Sequence, residues 1–348
     1  MPVGRLAGMS SRPSTRPRVA ISSPGDVASV LPYYVGFHPT DSIVVAGLLG
    51  ARREIGPVLR YDADAPVELA APDVVAKLAR HGITALYVVI YSNEIDSSAL
   101  ADCFRSHAGA GGLEVIDVVT VWNGRWRSCL CRDPSCCPAE GSPLPDPTSG
   151  VGGQVAAMAA LEGRTVLPTR ADIAATVAAP VALAARAGAL RIEQAADRAE
   201  NLIAGSGADG FHRQVVKLVE SGARAFADGN SQIDPDDAAL VVVAVEASFL
   251  VRDDVASLPT VPLTGLVDYL CAIARLTPDP FAAATCSLVA CNALRQGSGA
   301  LANVAIERAL DNDPSYSFAQ ILAEMTAAML SPADVQAWAA SARAHLPL

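Results

Sequence analysis

Four of the chain's eight cysteines lie in one short run, as Cys129, Cys131, Cys136 and Cys137, and they are the residues most able to do chemistry. Thiolates are soft ligands that zinc prefers, and four of them could complete a tetrahedral site. The spacing argues against one shared ion, because adjacent residues of an extended chain point to opposite sides. Cys136 and Cys137 would then diverge, so zinc at these four thiols is one interpretation among three.

The other two interpretations of the run are a disulfide and simple packing. A disulfide would require an oxidising compartment, which nothing in the sequence indicates. Cysteine also behaves as a small buried hydrophobe, and these four would fit beneath a loop stiffened by prolines. We favour packing. A reactive thiol would instead need a lowered pKa and nearby positive charge, for which Arg127 and Arg132 are the available cations.

The cysteines belong to a segment that is predicted to form a hairpin followed by a loop. Residues 113–122 are rich in β-branched side chains and predict a strand. Asn123-Gly124 is a strong turn signal, and residues 125–131 alternate in the manner of a short returning strand. The loop over residues 126–147 then carries the thiols together with a cluster of prolines.

Two segments of the chain resemble the motifs of a known family. In this sequence the motif positions are Gly36, Phe37, Pro39 and Ser42 near the start, and Cys131, Cys136, Cys137, Pro138, Gly141 and Pro143 in the middle. On these residues the chain resembles, over most of its length, an actinobacterial family catalogued as domain of unknown function 4192. The resemblance implies no activity, since the family has none assigned. It implies an aromatic residue where Cys129 stands, which argues against a four-cysteine metal site.

The composition is that of a globular protein with two folded parts. A chain of 348 residues is long enough for two domains with cores of their own, and 51% hydrophobic with 18% charged residues is a globular balance. The net charge of −10 argues against a nucleic-acid-binding surface, because phosphate binding needs clustered cations. We therefore expect no nucleic-acid partner.

Nothing in the sequence predicts export or insertion into a membrane. Residues 1–20 contain four arginines but lack the apolar core of a secretory signal, and we expect them to be a disordered tail. A membrane span needs about 18 uninterrupted apolar residues. The longest candidate, residues 238–251, is interrupted by Glu246 and Ser248. We expect a cytoplasmic protein with reduced thiols and no membrane partner.

Residues 21–148 predict an α/β domain with a mixed sheet and flanking helices. The pattern predicts strands over residues 43–49, 56–62, 83–91 and 113–122, and helices over residues 27–34, 67–80 and 97–108. Leu69 is expected on the apolar side of the second of these helices. Ligands in such sheets bind beyond the carboxyl ends of the strands, so the cysteine loop is expected to overhang a site there.

Polar and aromatic residues near those strand ends are the ligand-binding candidates. They are His38, Asp41, Ser42, Arg60, Asn93, Trp126 and Arg127. The first three have the residue types of nucleophilic catalysis, but catalytic triads converge from distant positions and not from one turn. Capping of a turn is the favoured interpretation for Asp41 and Ser42, and bonding to the local backbone is favoured for His38. The two arginines flanking the tryptophan could hold an anion, although a solvated strand face is the favoured explanation.

Residues 149–348 predict an alanine-rich helical domain. Helix-start signals recur where a capping residue precedes proline, at Asp234-Pro235, Thr277-Pro278, Asp313-Pro314 and Ser331-Pro332. Residues 240–251 predict one buried helix. Residues 260–342 are similar to tetratricopeptide units, although a generic helical bundle explains their small residues equally well.

Two hypotheses of function follow. The chain has no dinucleotide fingerprint, no phosphate-binding loop, no metalloprotease motif and no serine-hydrolase elbow. The first hypothesis is therefore a non-catalytic or regulatory protein that binds a small ligand, and a protein partner through its helical domain. The alternative is an enzyme, such as a hydrolase, with a thiol-dependent or zinc-dependent site under the loop over residues 126–147.

Overall fold

The computed structural model describes residues 19–92 and 97–344 of the chain. The first part runs in the order α1 (Pro24–Val30), α2 (Pro32–Val35), β1 (Ser42–Leu49), β2 (Glu54–Asp62), α3 (Val67–Ala79), β3 (Ile83–Tyr91), α4 (Ser97–Ala110), β4 (Glu114–Trp122), β5 (Arg125–Ser128) and β6 (Ser142–Pro143). The second part is helical, with α5 (Gly150–Leu161), α6 (Arg170–Ala175), α7 (Ala182–Ala227), α8 (Pro235–Ala247), α9 (Phe249–Ala256), α10 (Leu263–Leu276), α11 (Ala283–Gln296), α12 (Gly299–Asn312), α13 (Ser317–Ala327) and α14 (Pro332–Ala344). The predicted fold class is confirmed.

The strands form one mixed sheet in the order β2-β1-β3-β4-β5-β6. Within the described ranges, β3 and β4 are the one parallel pair, joined by α4 as a crossover helix, and every other neighbouring pair is antiparallel. The predicted hairpin is confirmed as β4 and β5, in which Val119 pairs with Ser128. This hairpin carries the cysteine loop along the β5–β6 side of the sheet.

The first helical segment begins three residues earlier than predicted and is split in two. Ser23 caps α1 through a capping box, since its hydroxyl accepts from the amide of Asp26 and the Asp26 carboxylate accepts from the amide of Ser23. Pro32 then begins α2, and the chain turns at Gly36 with a φ of 87°. Proline has no amide hydrogen to continue the hydrogen-bond ladder of the preceding helix, so residues 27–34 do not form one helix.

The two faces of the sheet are covered differently. One face packs against α3 and α4, with Val74, Leu78 and Phe104 in a fully buried cluster. Leu69 does not join it and is 72% exposed, so its predicted place on the apolar side of α3 is wrong. It lies in the first turn of that helix, before the first of its buried residues, Ala70.

The other face of the sheet packs against α1 and the helical part. One continuous hydrophobic cluster contains Val44 and Val119 of the sheet together with Ile192, Val215 and Leu288 of the helices. Backbone bonds also join the two parts next to α2, where Leu167 donates to the carbonyl of Gly36 over 2.9 Å and His38 donates to Leu167 over 3.1 Å. The two parts therefore share one core.

The helical part departs from the sequence-based expectation at several starts. The predicted helix over residues 240–251 is broken at Ser248, which is extended and caps α9 with its hydroxyl. Proline follows the cap as expected in α8 and α14, but α11 and α13 begin several residues after Pro278 and Pro314. The Thr277 hydroxyl instead donates to the carbonyl of Ile273 in the preceding helix, over 2.8 Å. The tetratricopeptide-like character of residues 260–342 stays a prediction.

No helix in the described part of the chain combines the length and the apolar character that crossing a membrane requires.

Candidate functional site

Three of the four clustered cysteines converge after β5. The sulfur atoms of Cys131, Cys136 and Cys137 all lie within 4.8 Å of one another. Cys129 does not join them. It follows the last residue of β5, its amide donates to the carbonyl of Val118 over 2.7 Å, and its sulfur packs towards the α3/α4 face of the sheet. Cys129 thus lies apart from the three-thiol cluster, and the chain after it departs from strand geometry, so Cys131 does not follow Cys129 to the same face.

The prediction that Cys136 and Cys137 point apart is wrong, because it assumed an extended chain. Both amides donate to the carbonyl of Asp133, over 3.1 and 2.8 Å, so the chain closes a tight turn. The Asp133 carboxylate stabilises this turn by accepting from the amide and hydroxyl of Ser135, over 2.9 and 2.7 Å. A turn allows adjacent side chains to face the same point, and Cys131 approaches that point from the end of β5.

A buried polar network fixes the start of the loop to the sheet. The Ser128 hydroxyl donates to the Asp117 carboxylate over 2.6 Å and accepts from the amides of Leu130 and Cys131 over 3.1 and 3.0 Å. Asp117 also accepts from the amide of Val118 over 2.8 Å. Burial raises the pKa of the Asp117 carboxyl, although these hydrogen bonds oppose the rise. Cys131 is therefore positioned by a buried hydroxyl that is itself held by a half-buried acid, Asp117.

Tyr87 completes this network from the neighbouring strand. It lies opposite Asp117 in the register of β3 and β4, and the two side chains are hydrogen-bonded. Burial raises the pKa of Tyr87 far above its usual range, and the charges of Asp117 and Cys137 raise it further. The phenol therefore stays protonated, donates to the carboxylate and lies within electrostatic reach of the thiols.

The Cys137 thiol is protonated at neutral pH when no metal is bound. Burial raises the pKa of Cys137 to about 11, with further contributions from the neighbouring thiols of Cys131 and Cys136. Such a thiol is a poor nucleophile, since only the thiolate attacks. Cys136 is exposed and the other two are half-buried, so one side of the cluster is open to water.

The remaining side chains of the hairpin brace the loop. Arg125 donates to the carbonyls of Glu140 and Gly141 over 2.7 and 2.6 Å, and Arg127 donates to the carbonyl of Ala139 over 3.3 Å. The returning chain of the loop passes over Trp122 at the end of β4, where the Cβ of any residue replacing Gly141 would lie 2.7 Å from the indole. The returning chain thus packs against the end of β4, and a ligand site under the loop stays a prediction.

Trp126 also has a structural position. Its indole lies against α1 so closely that a Cβ at Gly25 would be 2.5 Å from the indole nitrogen. Together with the arginine contacts, this packing connects the loop to the first helix. The two hairpin candidates Trp126 and Arg127 therefore contact protein groups and hold the loop in place.

The candidates before β1 form a separate group. Arg60 donates to the Ser42 hydroxyl over 2.9 Å and pairs with Asp62 over 2.6 Å, while Ser42 donates to the carbonyl of Thr40 over 2.7 Å. Asp41, in a left-handed conformation with a φ of 43°, accepts from the Ser92 hydroxyl over 3.3 Å. These bonds connect the turn to the sheet.

The two remaining ligand-binding candidates, His38 and Asn93, do not join the group around Ser42 and Arg60. His38 is exposed, and its amide takes part in the link to Leu167. Asn93 lies outside the described residues. Sequence reasoning also missed Tyr87, Asp117 and Ser128. The sequence did carry a signal for Asp117. Strand β4 has two charged residues, Glu114 at its first position and Asp117 in its interior.

Comparisons with known proteins place the cysteine loop inside a recognised family. A family model described as "Domain of unknown function (DUF4192)" matches residues 24–333. This span contains all three converging cysteines and the whole network beneath them. No curated protein and no solved structure matches the chain.

Proposed function

Because this chain belongs to the DUF4192 family, whose description names no activity, we propose from its own side chains that it is a non-catalytic, metal-dependent ligand-binding protein. The metal is a divalent ion that prefers sulfur, with zinc as the first choice, and its ligands are Cys131, Cys136 and Cys137. The observation that carries the proposal is the convergence of the three sulfur atoms within 4.8 Å.

The spacing of the three sulfur atoms suits a tetrahedral ion. A zinc–sulfur bond of about 2.3 Å in tetrahedral geometry places sulfur atoms about 3.8 Å apart. The observed limit of 4.8 Å means that the ligands need to approach by about 1 Å at most, a small change for side chains on an exposed turn. An ion supplies the positive charge that makes coordinating thiols lose their protons.

Hydrogen bonds from neighbouring groups hold the cysteines of the cluster in place, as they do for the ligands of known metal sites. The Ser128 hydroxyl holds the amide of Cys131, and the backbone of Ser128 hydrogen-bonds the sulfur of Cys137. Hydrogen bonds to ligating groups orient them and tune their affinity for the ion. Asp117 fixes Ser128 in turn, so the geometry of the loop is tied to the centre of the sheet.

The non-catalytic part of the proposal is supported by how the catalytic candidates are used. Ser42, Arg60 and Asp41 are engaged in local bonds that connect a turn to the sheet. The Cys137 thiol has a raised pKa, which does not suit nucleophilic attack.

One observation favours a zinc-dependent enzyme as a second candidate. A half-buried acid with a raised pKa, Asp117, and a protonated phenol, Tyr87, lie beside the thiols, and such groups can transfer protons near a metal-bound water. If the protein is such an enzyme, the zinc-loaded form should hydrolyse an activated ester such as p-nitrophenyl acetate faster than the zinc-free form. Asp117→Asn should remove that difference while zinc remains bound, and equal rates for the two forms would exclude this candidate.

Elemental analysis tests the metal proposal directly. Protein purified under reducing conditions and reconstituted with zinc should contain one zinc per chain after desalting. Cys137→Ser should lose this zinc, and the matched variant Cys129→Ser should retain it, because Cys129 lies outside the cluster. Absence of bound zinc in the reconstituted wild type, or equal zinc in the two variants, would refute the proposal.

A cytoplasmic location is also proposed. It is supported by the structure having every one of the eight cysteines as a free thiol, since a reducing compartment keeps thiols in that state. A protein partner for the helical part stays a prediction.

A further inference from the structure

The described residues supply three ligands to the proposed ion, one fewer than a closed tetrahedral site requires. The cluster of ligand atoms within 4.8 Å contains Cys131, Cys136 and Cys137, and no histidine, aspartate or glutamate of residues 19–92 and 97–344 joins it. Structural zinc sites are closed by four protein ligands, whereas sites with three keep a position for water or another ligand. The number of donors therefore points to an open site.

The two nearby carboxylates are committed to other bonds. Asp117 accepts hydrogen bonds from Ser128, Val118 and Tyr87. The carboxylate of Asp133 accepts from both the amide and the hydroxyl of Ser135, which maintains the turn that brings two of the cysteines together. Moving Asp133 onto the ion would break the bonds that shape the site.

The open position is reachable from solvent. Cys136 is exposed, and the other two cysteines are half-buried. Asp117 and Tyr87 belong to strands of the sheet, so a ligand that enters from solvent does not have to displace them. Small molecules can therefore exchange at the ion without unfolding of the loop.

The charge of the site selects the kind of ligand. Three thiolates and one divalent ion carry a net charge of about −1, in a protein with a formal net charge of −10. Two arginines lie near the loop, but Arg127 is directed to the carbonyl of Ala139 and Arg132 is exposed, where water screens its charge. An anionic fourth ligand would add like charge to the same place, whereas a neutral donor would not.

We infer that the metal ion of the three-cysteine site keeps a fourth position that water fills and that a small neutral nitrogen base, such as an imidazole or an amine, can take. This inference rests on the proposed function, since it needs the ion to bind. It adds the chemical class of the ligand: a neutral nitrogen donor that replaces one water molecule, with no change in the three thiolates.

Cobalt(II) is the probe that distinguishes metal binding by the three cysteines from an open fourth position on the bound ion. Cobalt bound by thiolates gives a near-ultraviolet charge-transfer band that reports the sulfur ligands, and visible bands that report the full coordination sphere. The full-length protein is loaded with cobalt and titrated with imidazole, and in parallel with azide as an anionic donor. Cys129→Ser serves as the matched control that keeps the site.

We expect imidazole to shift the visible bands with saturation while the charge-transfer band is retained, and to bind at least tenfold more tightly than azide. Visible bands that do not move would show that a protein group closes the site, and would overturn the inference while the metal proposal stands. If Asp133→Asn then made the bands respond, that group would be Asp133. Tighter binding of azide would refute the neutral-donor claim. Absence of cobalt binding would refute the proposed function itself.

Discussion

Replacement of Ser128 by alanine tests whether the buried network holds the cysteine loop. Ser128 is 4% exposed, and its hydroxyl makes three hydrogen bonds, to Asp117 at 2.6 Å and from the amides of Leu130 and Cys131. A hydrogen bond to a charged group contributes about 1.5–3 kcal/mol, and a neutral one about 0.5–1.5 kcal/mol. The amides can partly recover by bonding to water, so we expect Ser128→Ala to lower the free energy of unfolding by about 2–4 kcal/mol.

The assay is denaturant unfolding of the metal-free protein in the presence of a chelator, because bound metal would itself stabilise the folded state. Ser135→Ala is the matched control, since it removes a hydroxyl from the same loop at an exposed position, where we expect a loss of about 0.5 kcal/mol or less. A loss for Ser128→Ala equal to that of the control would refute the reasoning.

A double-mutant cycle tests whether the destabilisation by Ser128→Ala depends on Asp117. Combining Ser128→Ala with Asp117→Asn should cost less than the sum of the two single changes, because part of the cost of Ser128→Ala is the loss of a partner for the half-buried Asp117 carboxylate. We expect a coupling free energy of about 1 kcal/mol or more between these contacting residues. In the metal-loaded protein Ser128→Ala should also weaken zinc binding about 10–100-fold, the usual effect of removing an outer contact of a ligand.

Three further outcomes can be measured. The pKa of Asp117 is higher in the folded state than in the unfolded state, so its favourable contribution to the free energy of unfolding is complete below the unfolded-state pKa and is lost as the pH rises through the folded-state pKa. Unfolding measured at a series of pH values should show this loss in the wild type. If Asp117→Asn had the same pH profile as the wild type, the raised pKa could not belong to Asp117. Gly25→Ala should destabilise the fold by about 1–3 kcal/mol, because the new Cβ would meet the indole of Trp126. Gly109→Ala is the matched control at an open helical position, and it should stabilise the fold by about 0.5–1 kcal/mol. Equal melting temperatures for the two variants would refute the packing argument. Burial raises the pKa of Cys271 and of Cys291 to about 12, so both should resist alkylation until the protein unfolds, and mass spectrometry of the native protein that found either one modified would contradict their burial.

The sequence predicted much of the fold because the signals for its elements are local. The capping boxes at Ser23 and Thr169 and the runs of β-branched residues in β1, β3 and β4 specify their own conformation. The alternation of strands and helices up to β4 was enough to predict a mixed sheet with flanking helices. Failures occurred where a neighbour decided the outcome, as at Thr277, whose hydroxyl completes the preceding helix and does not start the next one.

The arrangement of the thiols lay beyond what spacing alone can predict. Sequence spacing correctly identified the cysteine run as the chemically notable segment, but an extended chain was assumed for Cys136 and Cys137. The turn around Asp133 reverses that expectation, because both amides donate to a single carbonyl. Whether adjacent side chains diverge or converge depends on the backbone between them, and that backbone is set by hydrogen bonds within the loop.

By itself the sequence determined the order of the elements, the α/β and helical halves, and the place of the cysteine loop, since each of these follows from residue types within a short window. Only the tertiary structure decided that three of the four thiols meet, that Cys129 faces the other side of the sheet, and that Tyr87 and Asp117 lie beneath the cluster. Those residues come from β3, β4 and the loop after β5, and only the pairing of the strands in the sheet brings them together.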